Sequence, residues 1–530
     1  MPSSISYPPS ASLQPSEHPQ KTNIIFIHPD LGIGGAERLI LDAALALQLR
    51  GHRVTIYTSH RDPSHCFEEA RDGTLDVRVR GNTVFPAHVG GRLHVLMAML
   101  RQLHLVVGLV LERRRGRKKK KRRVAGGENV GGDQAECRKA RRDQMSAEEA
   151  GVVDDVFVVD QVPACVPVLR LFGSEILRGS GRQGRERILF YCHFPDQLLA
   201  RRDEGGLLVR LVKGLYRYPF DWFEGWAISA ADKVVANSRF TCGVIKEVFG
   251  NRLGDVRVLY PCVDTSARKD GQSLLGQQSL WGGLKILLSI NRFERKKNIE
   301  LAIRAYHGLG KSHRKGTRLV VAGGYDNRVQ ENVQYHRELD SLALNLGLQT
   351  ATSKTVISAL SIPESIDVLF LLSVPSAFKQ TLLSSSTLLL YTPSHEHFGI
   401  VPVEAMHAGL PVLAANTGGP LETILDGETG WLRDASSVED WTGVIKKVLW
   451  DMETEQLHKM GKLGQERVEQ NFSRQAMGDK LEKEIGEMVA LARPTFMSAQ
   501  QVFTLVAVIG LSISLLARIA FNFDMKRRQI

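Results

Sequence analysis

Short apolar runs alternate with amphipathic stretches along most of the chain, as strands and helices taken in turn would require. Residues 23–27 are mostly apolar and rich in isoleucine, residues 36–50 carry a helical period that stops at Gly51, and residues 53–58 are apolar again. Residues 22–60 therefore read as a strand–helix–strand unit. Further strands are expected at 152–160, 188–191 and within 230–240. A polar, glycine-containing stretch without a period, 265–283, reads as a linker between domains. Beyond it the alternation restarts, with strands at 284–290, 318–324, 386–391 and 411–415 and a helix at 299–306. Residues 438–450 and 455–491 are helical by period and composition. The pattern is that of an α/β protein with two domains, as a length of 530 residues favours.

Two stretches depart from that alternation. Residues 93–111 are apolar but broken by His94, Arg101, Gln102 and His104, which suits a core or interfacial helix better than a membrane span. Residues 501–523 are the most apolar of the chain. The uncharged part, 502–517, would cover about 24 Å as a helix, and extension through Phe523 about 33 Å. With Arg518 able to reach a headgroup layer and Lys526, Arg527 and Arg528 behind it, this segment reads as a membrane anchor, in-plane or re-entrant before a single span.

Composition adds little until charge is located. The net charge is +12 and the isoelectric point about 9.4, but ten basic residues lie within 113–123, leaving the remainder close to neutral. A run of like charge is expected to be solvated and disordered, so 112–150 reads as a low-complexity insert, with attraction to anionic lipid headgroups as its functional alternative. No aromatic residue is interleaved with the run, which argues against a surface that stacks nucleobases. The six cysteines show neither a C-x-x-C pair nor zinc spacing and are expected to be reduced thiols. Residues 1–21 lack an apolar core segment, so they are expected to be a disordered lead-in rather than a secretory signal.

Candidate chemistry gathers where strands end. After the apolar Leu388–Tyr391 comes a polar turn carrying Glu396, then a helix expected to begin at Pro402 with Glu404 in its first turn. Phe398, Gly399 and Ile400 lie between the carboxylates, and their N–H groups near a helix N-terminus suit an anion. Two acceptors flanking a row of donors match a nucleotide sugar, which has hydroxyls at both ends and phosphates between. Gly34 and Gly35 open the first helix, where backbone can approach a diphosphate, although the third glycine of a dinucleotide fingerprint is absent. Arg292 and Lys297 leave one strand on a short loop, placed either as a solvated turn or to neutralise a leaving diphosphate. His193 follows a strand beside a proline turn, as a ligand contact or as a hydrogen-bonded structural histidine.

Six strings, GGAER (34–38), CHFPD (192–196), NSRFT (237–241), SINRFERKKNIE (289–300), YTPSHEHFGIVPVEAM (391–406) and NTGGPLET (416–423), occur in the order found in family 4 retaining glycosyltransferases. Together they resemble the eukaryotic GDP-mannose-dependent mannosyltransferases of asparagine-linked glycan assembly, which add α1,3- and α1,6-linked mannose to a monomannosyl chitobiose-diphosphate-dolichol. The resemblance implies a GT-B fold, with two Rossmann-like domains facing across a cleft. An acceptor domain at 22–264 and a donor domain at 284–475 would be followed by a crossing helix at 476–498. Glu396, Lys297, Arg292 and His193 are implied as catalytic. Gly34, Gly35, Phe398, Gly399, Ile400 and Glu404 would join Arg292, Lys297 and Glu396 in holding the donor. Glu396 would take the mannose hydroxyls and Glu404 the ribose. No D-x-D motif stands where the scheme would place one, so no cofactor or essential metal is expected. The implied partners are GDP-mannose, the dolichyl-diphosphate-linked oligosaccharide, lipid of the endoplasmic reticulum membrane and other early dolichol-pathway transferases, with catalytic domains facing the cytosol and no nucleic acid. The alternatives are a family 4 transferase using a UDP-sugar, a non-catalytic membrane scaffold, and a nuclear protein relying on 113–123.

Overall fold

The computed structural model describes residues 21–86, 88, 94–125, 155–177, 186–199, 207–265 and 280–491, with isolated positions beyond. Two seven-stranded sheets organise these residues, and every strand pairing within them is parallel. The first sheet holds β1 (Asn23–Leu31), β2 (Arg53–Arg61), β3 (Asp76–Val79), β4 (Asp155–Asp160), β5 (Arg187–Cys192), β6 (Lys233–Ala236) and β7 (Arg257–Val258) in the order β3-β2-β1-β4-β5-β6-β7. The second holds β8 (Lys285–Ile290), β9 (Thr317–Gly323), β10 (Thr350–Ser353), β11 (Val368–Leu372), β12 (Leu388–Tyr391), β13 (Val412–Ala415) and β14 (Gly430–Arg433) in the order β10-β11-β9-β8-β12-β13-β14. Parallel sheets are covered on both faces, which is why their central strands are continuous apolar runs rather than alternating ones. Ile24, Ile25, Phe26 and Ile27 on β1, and Leu388, Leu389 and Leu390 on β12, are fully buried.

The chain order reverses between β1 and β4 in the first sheet and between β8 and β12 in the second, where β10 and β11 are also swapped at the edge. Loops leaving the carboxyl ends of the strands diverge there, and the crevice between them is where open α/β sheets bind ligands.

Helices α1 (Gly35–Leu49) and α12 (Arg474–Ala490) cover one face of the first sheet, where Leu39, Ile40 and Leu47 share a core with Met477, Leu481, Ile485 and Met488. The chain therefore leaves the second domain after α11 (Thr454–Asn471) and returns to the first. Its return is pinned by charge. Arg474 reaches the buried Asp42 at 3.0 Å, and Lys233 reaches Glu487 at 2.9 Å. The long helical stretch at 455–491 thus breaks at Phe472–Ser473, where the Ser473 hydroxyl accepts the Ala476 N–H and starts a new helix.

Helix α2 (His94–Ala125) corrects the expectation of a disordered basic run. Leu105, Val106 and Leu109 are buried against the first sheet, so the first part is a core helix. It is also long and apolar enough over His94–Arg113 to cross a membrane by length and composition. The helix then continues through the basic residues, because Lys and Arg are good helix formers and the core already provides the nucleus. Arg113 is held by Asp155 at 3.1 Å, and Glu112 by Arg78 at 2.6 Å. The rest of the 112–150 insert, the lead-in, most of the linker and, apart from isolated positions, the 501–523 anchor lie outside the described residues. Among the described residues the cysteines, Cys66, Cys165, Cys192, Cys242 and Cys262, are unpaired.

Candidate active site

In the second domain, the loops leaving β8 and β12 meet over the point where strand order reverses. The Thr392 hydroxyl donates to the Lys297 carbonyl at 2.7 Å, which ties the two loops together. Lys297 and Glu396 form an ion pair there, mostly screened from solvent. Burial alone would raise the Glu396 carboxyl. The Lys297 ammonium and the Tyr391 hydroxyl override that and hold it below its ordinary value. Arg292, on the same loop, turns to Glu294 at 3.2 Å, and its side chain is 65% exposed.

Gly399 follows in the left-handed region, φ 81°, and caps α9 (Ile400–His407). This helix starts two residues before the expected Pro402, so Glu404 lies in its second turn rather than its first. Glu404 accepts from Lys379 at 2.6 Å, and its other oxygen, Oε2, is buried with no partner. An unsatisfied buried carboxylate oxygen is costly unless a ligand completes it. Gly418 and Gly419 lie directly beneath the Glu396 loop. The Gly419 N–H donates to the Glu396 carbonyl at 2.8 Å, and a Cβ at Gly419 would come within 2.1 Å of the Phe398 carbonyl oxygen.

In the first domain, three side chains meet at the carboxyl ends of β1, β4 and β5. Asp160, fully buried, lies 2.9 Å from His28 Nδ1 and 3.0 Å from His193 Nε2. Burial alone would raise the Asp160 carboxyl, and the two imidazoles overturn that and lower it. Gly34 and Gly35 open α1 at the same sheet end, with Gly34 as the N-cap.

The two ends face each other. His397 stacks on Phe194 at 3.8 Å with the rings 4° from parallel, and the His397 carbonyl accepts the Ser238 hydroxyl. Glu422 accepts the N–H groups of Arg239 and Phe240, each at 2.8 Å, and the Tyr260 hydroxyl at 2.9 Å. A carboxylate of the second domain thus satisfies the N-terminus of α5 (Arg239–Phe249) in the first, where the helix dipole favours it.

Two family models match the chain: "Glycosyl transferases group 1" over residues 275–467 and "Glycosyltransferase Family 4" over residues 170–267. The alpha-1,3/1,6-mannosyltransferase of Neurospora crassa is 45% identical over 88% of this chain and 91% of its own length. That of Rhizomucor pusillus is 42% identical over 87% and 90%, and that of Saccharomyces cerevisiae 40% identical over 88% and 85%. The chain belongs to the alpha-1,3/1,6-mannosyltransferase family. Among solved structures, sucrose-phosphate synthase of Thermosynechococcus elongatus matches with TM-score 0.59 at 16% identity, over 89% of this chain and all of that one. The catalytic domain of starch synthase IV from Arabidopsis thaliana matches with TM-score 0.58 at 14% identity, over 89% and 100%. These share the two-domain GT-B fold.

In this family member the structure brings together Lys297, Glu396 and the Phe398–Ile400 backbone, and it sets His193 across the seam from them through the Phe194–His397 stack. Glu404 stands one helical turn on. Arg292 is turned away from that group, toward Glu294. Three participants went unread in the sequence of this mannosyltransferase-family chain: His28, Asp160 and Lys379. His28 and Asp160 did leave a signal, since each follows directly on an apolar run, Ile24–Ile27 and Val156–Val159. Lys379 left none, because a lysine on an ordinary amphipathic helix looks like any other.

Proposed function

We propose that this chain is a retaining mannosyltransferase that takes mannose from GDP-mannose and adds it in α1,3 and α1,6 linkage to a monomannosyl chitobiose-diphosphate-dolichol acceptor. The observation that carries this reading is the Lys297–Glu396 pair at the reversal point of the second sheet, facing His193 at the matching point of the first. The relatives' shared name supplies the linkages.

The chemical difficulty is charge on the β-phosphate as the glycosidic bond breaks. Lys297, with Arg292 swinging in from its exposed position, would neutralise it together with the N–H groups of Phe398, Gly399 and Ile400, and those of Gly34 and Gly35 from the opposite domain. Glu396 would hold mannose hydroxyls, its carboxylate kept ionised by Lys297. Glu404 would accept from the ribose with the oxygen now unsatisfied. Fixed cations and peptide dipoles would carry this charge stabilisation without a metal. The departing diphosphate would take the acceptor's proton on the face where the new bond forms. The acceptor is a lipid, so the enzyme would work at the cytosolic face of the endoplasmic reticulum membrane, with other early dolichol-pathway transferases as neighbours.

The test is purified protein with GDP-mannose and the lipid-linked trisaccharide, with and without a chelator. The product should gain two mannoses, one in each linkage, and chelation should leave the rate unchanged. Transfer from a UDP-sugar in place of GDP-mannose would overturn the donor assignment.

A further inference from the structure

Hydrogen-bond geometry around His28 determines its charge. Its Nδ1 lies 2.9 Å from both oxygens of Asp160, and its Nε2 lies 3.1 Å from the Asp30 carbonyl oxygen. A carboxylate and a peptide carbonyl can only accept, so each ring nitrogen must carry a hydrogen. Either neutral tautomer would leave one lone pair aimed at an oxygen in a site with no exposure to water. The surroundings agree. Burial opposes a charge on His28, but Asp160 and the Glu37 carboxylate on α1 outweigh it, and the imidazole is held above its ordinary value. Arg101 of α2 is taken up by the Asp30 carboxylate at 2.6 Å, so it does not compete for Asp160.

Asp160 is shared. The oxygen that takes His28 also takes Nε2 of His193 at 3.0 Å, so His193 must donate from Nε2, and in its neutral form the lone pair falls on Nδ1. A bare buried carboxylate in that position would draw a second proton onto His193 and remove the lone pair. A cation already bound to Asp160 would counter that pull. Its other neighbours do not supply the missing charge: Tyr191 presents its ring at 4.8 Å, Asn237 takes the His193 carbonyl, and His397 faces it across the seam beside Lys297 and Glu396.

We propose that His28, protonated on both ring nitrogens in the folded enzyme, is a positioning residue that neutralises Asp160, so that Asp160 fixes the tautomer of His193 without charging it and leaves Nδ1 free to accept a sugar hydroxyl. The proposal rests on the transferase reading for the role of His193, but the charge state of His28 stands on geometry alone.

The experiment has two arms, both on the full chain. In the first, the pH dependence of kcat/KM for mannose transfer is compared between the wild type and His28→Gln, which keeps a donor toward Asp160 but not the charge. The acidic limb should move up by about one unit or more, so that the variant is roughly tenfold slower on that limb and recovers in mild alkali. A uniform loss at every pH, or an unshifted profile, would overturn the proposal. In the second, the wild type labelled with 15N-histidine is titrated by NMR, with His28→Gln or His28→Phe assigning the signal. His28 should show two imidazolium-type nitrogens at neutral pH, and a neutral-tautomer pattern there would overturn the proposal even if the variants failed to fold. A wild type inert toward GDP-mannose would sink the functional reading while leaving this second arm intact.

Discussion

Lys297 holds the buried Glu396 carboxylate in its charged form, which makes the pair more than the sum of two side chains. Removing Lys297 leaves Glu396 buried without its cation and takes away a positive charge facing the leaving group. Lys297→Ala is expected to lower kcat by about 10²–10³-fold, or about 2.7–4 kcal/mol of transition-state stabilisation. Single-turnover rates at saturating donor would measure this, and wild-type turnover would remove Lys297 from the mechanism. Glu404→Gln should act differently. A neutral amide can still meet a hydroxyl, so KM for GDP-mannose should rise while kcat stays near the wild-type value; an unchanged KM would rule out the ribose contact. At this scale the sequence was most legible where partners are close along the chain. Glu396 and Glu404 could be seen because a single loop and helix carry both. His28 and Asp160 lie 132 positions apart, and only the pairing of β1 with β4 makes them neighbours.

Elements place these residues by close backbone approach as much as by pattern. The turn at Gly418–Gly419 supports the Glu396 loop so tightly that no side chain fits between them. Gly419→Ala must push the loop away. It should cost about 1–3 kcal/mol, read as a lower Tm, together with a loss of kcat larger than stability alone explains. The start of α9 at Ile400 rather than Pro402 has the same origin: a left-handed cap, Gly399, set against the Tyr391 ring begins the helix early. The long α2 shows the opposite case. Charge repulsion along the chain argued for disorder, but the buried face of the helix and the Arg113–Asp155 pair carry it through.

The whole molecule is closed by a small seam in which each domain completes the other. His397 is aromatic packing for Phe194, and burial, with the nearby lysines, depresses its imidazole below 6.5 despite the Glu396 carboxylate. A depressed folded-state value means that its contribution is full above pH 6.5 and is lost as pH falls through the lower value. Mild acid should therefore loosen the seam. Wild type should lose Tm relative to His397→Phe between neutral pH and pH 5.5, and equal losses would count against it. Glu422→Ala, which leaves the α5 N-terminus unsatisfied, should open the domains, seen as a larger radius of gyration by X-ray scattering and a lower kcat.

The sequence by itself determined the two α/β halves, the strand ends that carry chemistry, and the order of the motifs, because burial on both faces makes parallel strands continuous and glycine turns leave a local mark. Several strands escaped it, among them β10 and β14, since four residues under an edge carry too little apolar pattern to register. The tertiary structure alone decided which charges meet. Whether Lys297 faces Glu396, whether Arg292 turns aside, and whether His28 must hold two protons all depend on distances between residues far apart in the chain, and electrostatic energy in a buried site follows distance rather than sequence.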